Sequence, residues 1–219
     1  MQLVIFDCDG TLVDSQHAIH AAMRRAWQLV GVEPLPLAAV RDVIGLSLLR
    51  CFEQLHPTLS ASDHKRLTAE YRSAFAAARE AGEPNESLYD GCREALDSLR
   101  DEGYLLAVAT GKSQRGLDAV LEAFDLRELF CCLKTADDGP SKPHPEILEQ
   151  ALAETGVRRE DAVMIGDTTF DMLLGRNAGL RTLGVAWGYH DPEELLQSGA
   201  ESVLSSYGQL PRSVGNLLA

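Results

Sequence analysis

Two carboxylates close together end the first apolar segment of the chain. Residues 3–6 are apolar, Asp7 follows them directly, and Asp9 stands two positions later. Like charges this close repel each other by several kcal/mol at reduced dielectric, so a cation or a shared proton is expected beside them. A hard divalent ion with oxygen ligands meets that need. The alternative is an acidic turn without chemistry, in which Asp14 or Ser15 caps the next helix.

A second carboxylate pair occurs late in the chain. Asp167 follows the apolar segment 162–165 and one glycine, and Asp171 lies four residues further on. Side chains one helical turn apart share a face of the helix, so Asp171 can face the same pocket as Asp167. The alternative is a pair of ordinary acidic residues at a helix start, which the helix dipole favours.

Two further stretches carry groups that suit an anion. Thr110 and Gly111 follow an apolar segment and offer a hydroxyl and free backbone N–H groups, which bind anions at the start of a helix. Lys142 stands beside Pro143 and three residues before Pro145, and the prolines fix the backbone around it. An ammonium held there could neutralise a carboxylate and a transferring phosphoryl group. The alternatives are an ordinary turn and a solvated lysine.

The elements before these groups must position them. Short apolar runs with β-branched residues, closed by turn residues, indicate buried strands, and buried strands are typical of parallel sheets covered on both faces. From residue 89 onward strands alternate with helices, which predicts an α/β fold with a doubly wound parallel sheet. We predict strands over 3–6, 104–109, 130–135, 162–165, 181–186 and 202–204, and helices over 90–102, 113–124, 144–155 and 170–178. Ligands of such sheets bind beyond the carboxyl ends of the strands.

A helical block interrupts this alternation. Helical patterns cover 15–30, 37–43, 46–55 and a longer segment that starts at Ser60 or Ser62 and ends at 81. We therefore predict a core domain of residues 1–14 and 86–219 with an inserted all-helical cap domain of residues 15–85. The insertion would lie over the pocket as a lid.

Four motifs in this order resemble those of the haloacid dehalogenase (HAD) superfamily, in particular its phosphoglycolate phosphatase-like members with a helical cap. They are D-x-D-G-T-L-V-D at 7–14, A-T-G-K at 109–112, K-P-x-P at 142–145 and G-D-x-x-x-D at 166–171. The resemblance extends over essentially the whole chain. Many members have Asn where this chain has Gly111, which leaves the backbone N–H as the contact at that position.

The resemblance implies a phosphatase that hydrolyses a small phosphate ester through an aspartyl-phosphate. Asp7 is then the nucleophile. Asp9 protonates the leaving group and afterwards takes a proton from the attacking water. Thr110, Gly111 and Lys142 bind the phosphoryl oxygens.

The resemblance also implies that the enzyme needs Mg²⁺. Asp7, the backbone carbonyl of Asp9 and Asp167 would hold the ion. Asp171 would ligate it through water or would hold Lys142. A metal-independent haloacid dehalogenase is an alternative, but its extra carboxylates would then go uncompensated. A phosphomutase acting on a sugar phosphate and a non-catalytic binding protein on the same fold are further alternatives.

Substrate choice is expected to depend on the cap, because the four motifs recognise only phosphate and metal. Gly45 permits a close approach, and Arg41 or Arg50 could meet a carboxylate or a second phosphate of the substrate. Arg115, which follows Thr110 on the next helix, is a further candidate. A solvated helix face is an equally good interpretation of these arginines.

The composition narrows the classes of partner. The chain has 219 residues and a net charge of −13, so nucleic acids and anionic membrane surfaces are not expected to bind it. The sequence shows neither a secretory signal nor an apolar run of membrane-spanning length. Its five cysteines are odd in number and predict buried, reduced thiols in a cytoplasmic protein. Both a monomer and a homodimer are compatible with the sequence.

Overall fold

The computed structural model of the protein describes residues 1–82 and 86–219. Its strands are β1 (Leu3–Phe6), β2 (Val13–Asp14), β3 (Ser87–Leu88), β4 (Leu105–Ala109), β5 (Cys132–Lys134), β6 (Ala162–Gly166), β7 (Arg181–Val185) and β8 (Ser202–Leu204). Its α-helices are α1 (Gln16–Val30), α2 (Leu37–Arg41), α3 (Leu48–Leu55), α4 (Ala61–Glu80), α5 (Cys92–Asp101), α6 (Gln114–Ala123), α7 (Glu146–Thr155), α8 (Thr169–Asn177), α9 (Pro192–Ser198) and α10 (Leu210–Leu218). Short 3₁₀ turns cover 127–129, 159–161 and 207–209.

The main sheet is parallel and has the strand order β5-β4-β1-β6-β7-β8. The order reverses at β1, which is the topological switch point where open α/β sheets bind ligands. Both faces of β1 are buried: Val4 and Phe6 pack in one apolar cluster with α5, α6 and α10, and Leu3 and Ile5 pack in another with α7 and α8. The predicted α/β fold with a doubly wound parallel sheet is confirmed.

The register of the sheet brings distant parts of the chain to one edge. Phe6 pairs with Val108 of β4 on one side and with Ile165 of β6 on the other. The backbone N–H of Asp7 also donates to the carbonyl of Ile165 at 2.9 Å. The residues that follow β1, β4 and β6 therefore meet at the carboxyl edge of the sheet, as the sequence predicts.

Residues 16–80, called the cap segment below, contain α1 to α4 and have an apolar cluster of their own around Trp27 and Phe52. The antiparallel pair β2–β3 joins the two connections between this segment and the rest of the chain. Ser60, one of the two predicted caps of α4, forms a capping box with Asp63. The domain boundaries at 14/15 and 85/86 stay a prediction, and residue 85 falls outside the described residues.

Several elements differ from the sequence prediction. The pair β2–β3 was not predicted, since two residues in each strand are too few to show a periodic pattern. Helices α9 and α10 were not predicted either. Helix α7 begins at Glu146 because Pro143 and Pro145 precede it, and a proline supplies no N–H and restrains the residue before it. The cysteines are free and four are buried, but Cys131 is exposed, so the prediction of buried thiols is wrong there. Within the described residues, no helix is long and apolar enough to cross a membrane.

Candidate active site

Three carboxylates converge at the switch point of the sheet. Asp7 follows β1, Asp167 follows β6 and Asp171 lies in the first turn of α8. Each offers an oxygen, and these oxygens lie within 4.8 Å of one another. All three side chains are fully buried. The structure thus brings together three of the four residues that sequence analysis assigned to the metal.

Three glycines make room for this cluster, because a side chain at their positions would collide with the carboxylates. A Cβ on Gly10 would lie 2.1 Å from Oδ2 of Asp167, and Gly10 also has a φ of +86°, which side chains rarely tolerate. A Cβ on Gly188 would lie 2.1 Å from the Cβ of Asp167, and one on Gly166 would lie 2.3 Å from the Cβ of Asp171. The lack of side chains at these glycines therefore lets the backbone lie directly against Asp167 and Asp171.

Lys142 is the ammonium inside this cluster. Its Nζ lies 2.8 Å from Oδ1 of Asp7 and 2.6 Å from Oδ1 of Asp171, with no exposed side-chain surface on any of the three. The other oxygen of Asp171, Oδ2, accepts hydrogen bonds from the backbone N–H and the hydroxyl of Thr168. Both oxygens of Asp171 are therefore engaged within the protein. These contacts fit a role for Asp171 as the partner that holds Lys142 better than a role as a direct metal ligand.

The charge of the cluster is not balanced by Lys142. Burial, with the charge of Asp171, raises the pKa of Asp7 to about 7 against the opposing effect of Lys142. Burial, with the charges of Asp171 and Asp7, raises the pKa of Asp167 well above its ordinary value. Burial lowers the pKa of Lys142, but the carboxylates of Asp171 and Asp7 outweigh it and raise that pKa. Burial is thus the main cause of the two raised carboxyl pKa values, and the neighbouring carboxylates add to it.

The donor set fits a divalent cation. Although Lys142 forms an ion pair with Asp7, neither buried oxygen of Asp7 accepts an aligned hydrogen bond among the described residues. Buried carboxylate oxygens without partners are costly, and Mg²⁺ binds such oxygens. An ion beside Asp7 and Asp167 would remove both the missing contacts and the excess negative charge.

Asp9 belongs to a second cluster beside the first. Its Oδ1 accepts hydrogen bonds from Nζ of Lys112 at 2.6 Å and from the hydroxyl of Ser15. Ser15 is the residue before α1, yet its side chain makes no capping hydrogen bond. Ser15 therefore does not cap α1, as the alternative interpretation of this turn allowed, and its hydroxyl contacts Asp9 instead. The hydroxyl of Tyr189 lies 3.3 Å from that of Ser15.

Lys112 was not predicted to belong to the site, although it is the last residue of the motif A-T-G-K at 109–112. Its position was the signal that could have identified it. Lys112 lies just beyond the end of β4, Asp9 lies just beyond the end of β1, and these two strands are neighbours in the sheet. Residues beyond the ends of adjacent parallel strands are close in space.

The predicted phosphate contacts lie under the cap segment. Thr110 is 1% exposed, and its hydroxyl accepts a hydrogen bond from the backbone N–H of Lys112 at 3.2 Å. A Cβ on Gly111 would lie 2.5 Å from the carbonyl oxygens of both Gly45 and Leu46. Gly45 is itself buried, and a Cβ there would lie 3.0 Å from the hydroxyl of Thr168. The segment that contains Gly45 therefore covers the carboxyl edge of the sheet.

The arginines proposed as substrate contacts have other partners or are exposed. The Nε of Arg41 donates to the side-chain oxygen of Gln16 at 2.5 Å. Arg50 is exposed and pairs with Glu53 on the same helix. Arg115 is exposed on α6. The structure assigns none of these three to the carboxylate cluster, and their contact with a substrate stays a prediction.

Comparison with known proteins identifies the family. The family model "Haloacid dehalogenase-like hydrolase" matches residues 4–185. The chain belongs to the haloacid dehalogenase-like hydrolases. This match covers all four motifs and the cap segment between the first and second of them, so the resemblance seen in the sequence is confirmed.

Relatives of this HAD-like hydrolase match it over nearly their whole length. It is 35% identical to the protein named "Probable phosphatase IndB" of Dickeya dadantii, over 99% of this chain and 94% of that protein. It is 28% identical to a phosphoglycolate phosphatase of Vibrio parahaemolyticus, over 96% of this chain and 94% of that one. A crystal structure described as a predicted phosphatase from Clostridium acetobutylicum superposes with a TM-score of 0.89 at 26% identity, over 98% of each chain.

Proposed function

We propose that this HAD-like hydrolase is a Mg²⁺-dependent phosphatase that hydrolyses a small phosphorylated metabolite through an aspartyl-phosphate. The observation that carries the proposal is Asp7: a fully buried carboxylate whose oxygens accept no aligned hydrogen bond within the described residues, although Lys142 lies 2.8 Å away. A nucleophile needs a free lone pair and a nearby positive charge that offsets the incoming phosphoryl group. The phosphatase names of two relatives support the reaction class.

The residues that would hold the ion are Asp7, Asp167 and the backbone carbonyl of Asp9. Bound there, Mg²⁺ would withdraw charge from the phosphoryl oxygens. The three buried carboxylates against one ammonium also argue against the metal-independent dehalogenase alternative, since that reaction would leave the cluster uncompensated.

In the first half-reaction a carboxylate oxygen of Asp7 forms a bond to phosphorus while the bond from phosphorus to the leaving oxygen breaks. Asp9 gives its proton to that leaving oxygen. Both hydrogen bonds that Asp9 accepts in the described structure fall on Oδ1, which leaves Oδ2 to carry the proton. Lys142 and the Thr110 hydroxyl would bind the phosphoryl oxygens.

In the second half-reaction water attacks the phosphorus of the aspartyl-phosphate. Asp9, now ionised, takes the proton of the water as its oxygen bonds to phosphorus. The bond between phosphorus and Asp7 breaks, which releases phosphate and restores the carboxylate. Asp9 regains its proton for the next cycle. Release of phosphate, without transfer to a second sugar hydroxyl, distinguishes this reaction from a phosphomutase.

The test is the hydrolysis of p-nitrophenyl phosphate with Mg²⁺ and with EDTA, by the wild type and by Asp7→Asn. We expect turnover only with Mg²⁺ and a loss of at least about 1,000-fold in Asp7→Asn, with an unchanged circular dichroism spectrum. Asp118→Asn is the matched control, because Asp118 lies on α6 and binds Gln114. Turnover by Asp7→Asn near the wild-type rate would refute the nucleophile assignment.

A second measurement tests the ion without relying on activity. Mg²⁺ that binds only the folded protein raises the midpoint of thermal unfolding. At a Mg²⁺ concentration of 100 times the Kd, the free energy of unfolding rises by about 2.7 kcal/mol. We expect this rise in the wild type and its loss in Asp167→Asn. A Mg²⁺-dependent rise that persists in Asp167→Asn would show that the ion binds elsewhere. A screen of phosphorylated metabolites, phosphoglycolate included, would then identify the substrate.

A further inference from the structure

Lys112 is a largely buried cation that the proposed mechanism does not use. Its Nζ lies 2.6 Å from Oδ1 of Asp9 and 3.4 Å from Oε1 of Glu86, and each of the three side chains is 10% exposed. Asp9 lies in the loop after β1, whereas Glu86 directly precedes β3, the strand by which the chain returns from the cap segment. One ammonium thus links the proposed acid–base group to that return connection.

Helix α4 of the cap segment completes this contact. The Nζ of Lys112 lies 5.6 Å from the centre of the Phe75 ring, and the guanidinium carbon of Arg79 lies at the same distance from that ring. Arg79 in turn forms an ion pair with Oε2 of Glu86. Phe75 and Arg79 are both on α4, so the environment of Lys112 depends on where this helix lies.

Opposite charges around Lys112 favour the arrangement of the cap segment seen in the structure. The Nζ of Lys112 lies 2.6 Å and 3.4 Å from the carboxylate oxygens of Asp9 and Glu86, so two opposite charges lie against its ammonium. A buried charge that loses a partner is destabilising, and an aromatic face attracts a cation. Lys112 therefore favours the arrangement in which Asp9, Glu86 and Phe75 are all in contact with it.

We propose that Lys112 is a positioning residue that couples the Asp9 carboxylate to the cap hinge, defined here as Glu86 with β2 and β3. It holds Asp9 oriented for proton transfer while α4 is in place and leaves Asp9 less restrained when α4 is displaced. This inference rests on the proposed phosphatase function and adds a control of its acid–base step by the cap segment.

The competing role for Lys112 is direct binding of the substrate. Its Nζ donates to Asp9 at 2.6 Å, lies 3.4 Å from Oε1 of Glu86 and faces the Phe75 ring, so its nearest charged partners belong to the protein. Lys142, by contrast, contacts the proposed nucleophile itself. The geometry favours Lys112 as a partner of Asp9, and the two roles differ in their kinetics.

The kinetic test compares Lys112→Met with Lys134→Met. Lys134 is the matched control: it is 12% exposed and lies 2.6 Å from Glu154, outside the clusters described above. We expect Lys112→Met to lower kcat for p-nitrophenyl phosphate by about 10- to 100-fold with KM changed less than about threefold. Lys134→Met should match the wild type. A raised KM with unchanged kcat would overturn the proposal in favour of substrate binding.

A double-mutant cycle tests the link to the cap segment. Phe75→Leu keeps an apolar side chain on α4 but removes the ring under Lys112. We expect it to lower kcat about threefold or more in the wild type and to have no further effect in Lys112→Met, because residues that act through one another are not additive. Equal effects in both backgrounds would overturn the coupling.

Hydrogen exchange tests the same link without any activity. The backbone N–H of Tyr89, directly after β3, donates to the carbonyl of Leu12 at 3.2 Å. We expect Asp9→Asn and Lys112→Met each to raise amide exchange over residues 87–89, by about fivefold or more, and the double variant to match Lys112→Met. Unchanged amide exchange in both single variants would refute the link between Asp9 and the cap hinge through Lys112. If the wild type hydrolyses no phosphate ester, the proposed function fails, whereas this exchange result still decides the coupling.

Discussion

The backbone of Gly111 lies directly against the backbone of Gly45, where the cap segment meets the carboxyl edge of the sheet. A Cβ on Gly111 would lie 2.5 Å from the carbonyl oxygen of Gly45 and 2.5 Å from that of Leu46. Backbone oxygens cannot rotate away as a flexible side chain can. The closed position of the cap segment therefore requires that residue 111 have no side chain.

Gly111→Ala should hold the cap segment away from the site. The φ of Gly111 is not in the left-handed region, so the effect is steric and does not come from backbone strain. We expect kcat/KM for a phosphate ester to fall about tenfold or more, and Gly111→Asn to fall further. Gly116→Ala is the control, since its Cβ would meet only ordinary contacts from 3.4 Å onward. Equal kcat/KM in Gly111→Ala and the wild type would contradict the closed contact.

The position of the carboxylate cluster could be predicted from the sequence, and the physical reason is the sheet. Apolar runs before Asp7 and Asp167 indicated buried parallel strands, and such strands end at one edge. The structure pairs Phe6 with Ile165, one residue before Asp7 and two before Asp167. Local patterns were enough here because each carboxylate directly follows its strand.

The pairing of Asp9 with Lys112 could not be predicted in the same way. The two residues are 103 positions apart, and their contact depends on the conformation of two loops beyond the strand ends. Arg41 shows the same limit: a cap arginine can face a substrate or its own domain, and here it donates to Gln16. The sequence indicates which charges are available, whereas side-chain directions in loops depend on the tertiary packing.

The raised pKa of Asp7 predicts how stability depends on pH when no metal is bound. Burial raises this pKa from 3.8 to about 7, so the folded protein binds the proton more tightly than the unfolded chain does. The stability that this proton contributes is fully present below pH 3.8, and it is lost as pH rises through about 7. In EDTA, wild-type stability should therefore fall across this window by up to about 1.4 kcal/mol per pH unit relative to Asp7→Asn.

Thermal unfolding of both proteins at several pH values, with EDTA and with Mg²⁺, checks this sign. Asp7→Asn cannot titrate at this position, so the difference between the two proteins reports Asp7 together with its effect on the pKa values of Asp167 and Lys142. Mg²⁺ should remove most of the fall in the wild type, because a bound cation favours the ionised carboxylate. A difference that grows in the opposite direction with pH would show that Asp7 is stabilised as a carboxylate even without metal.

Removal of the Lys142 ammonium should be far more costly than removal of a lysine whose carboxylate partner is exposed. Lys142→Met would leave Asp7 and Asp171 buried without their cation, and breaking a buried ion pair in this way costs about 3–5 kcal/mol. Lys134→Met breaks a pair whose partner Glu154 is 52% exposed, which should cost less than about 1 kcal/mol. Urea unfolding at pH 7.5 or so in EDTA measures both. Part of the loss in Lys142→Met should return with Mg²⁺ or at lower pH, since either one reduces the uncompensated negative charge. A loss as small as that of Lys134→Met would mean that the cluster does not depend on Lys142 for its charge balance.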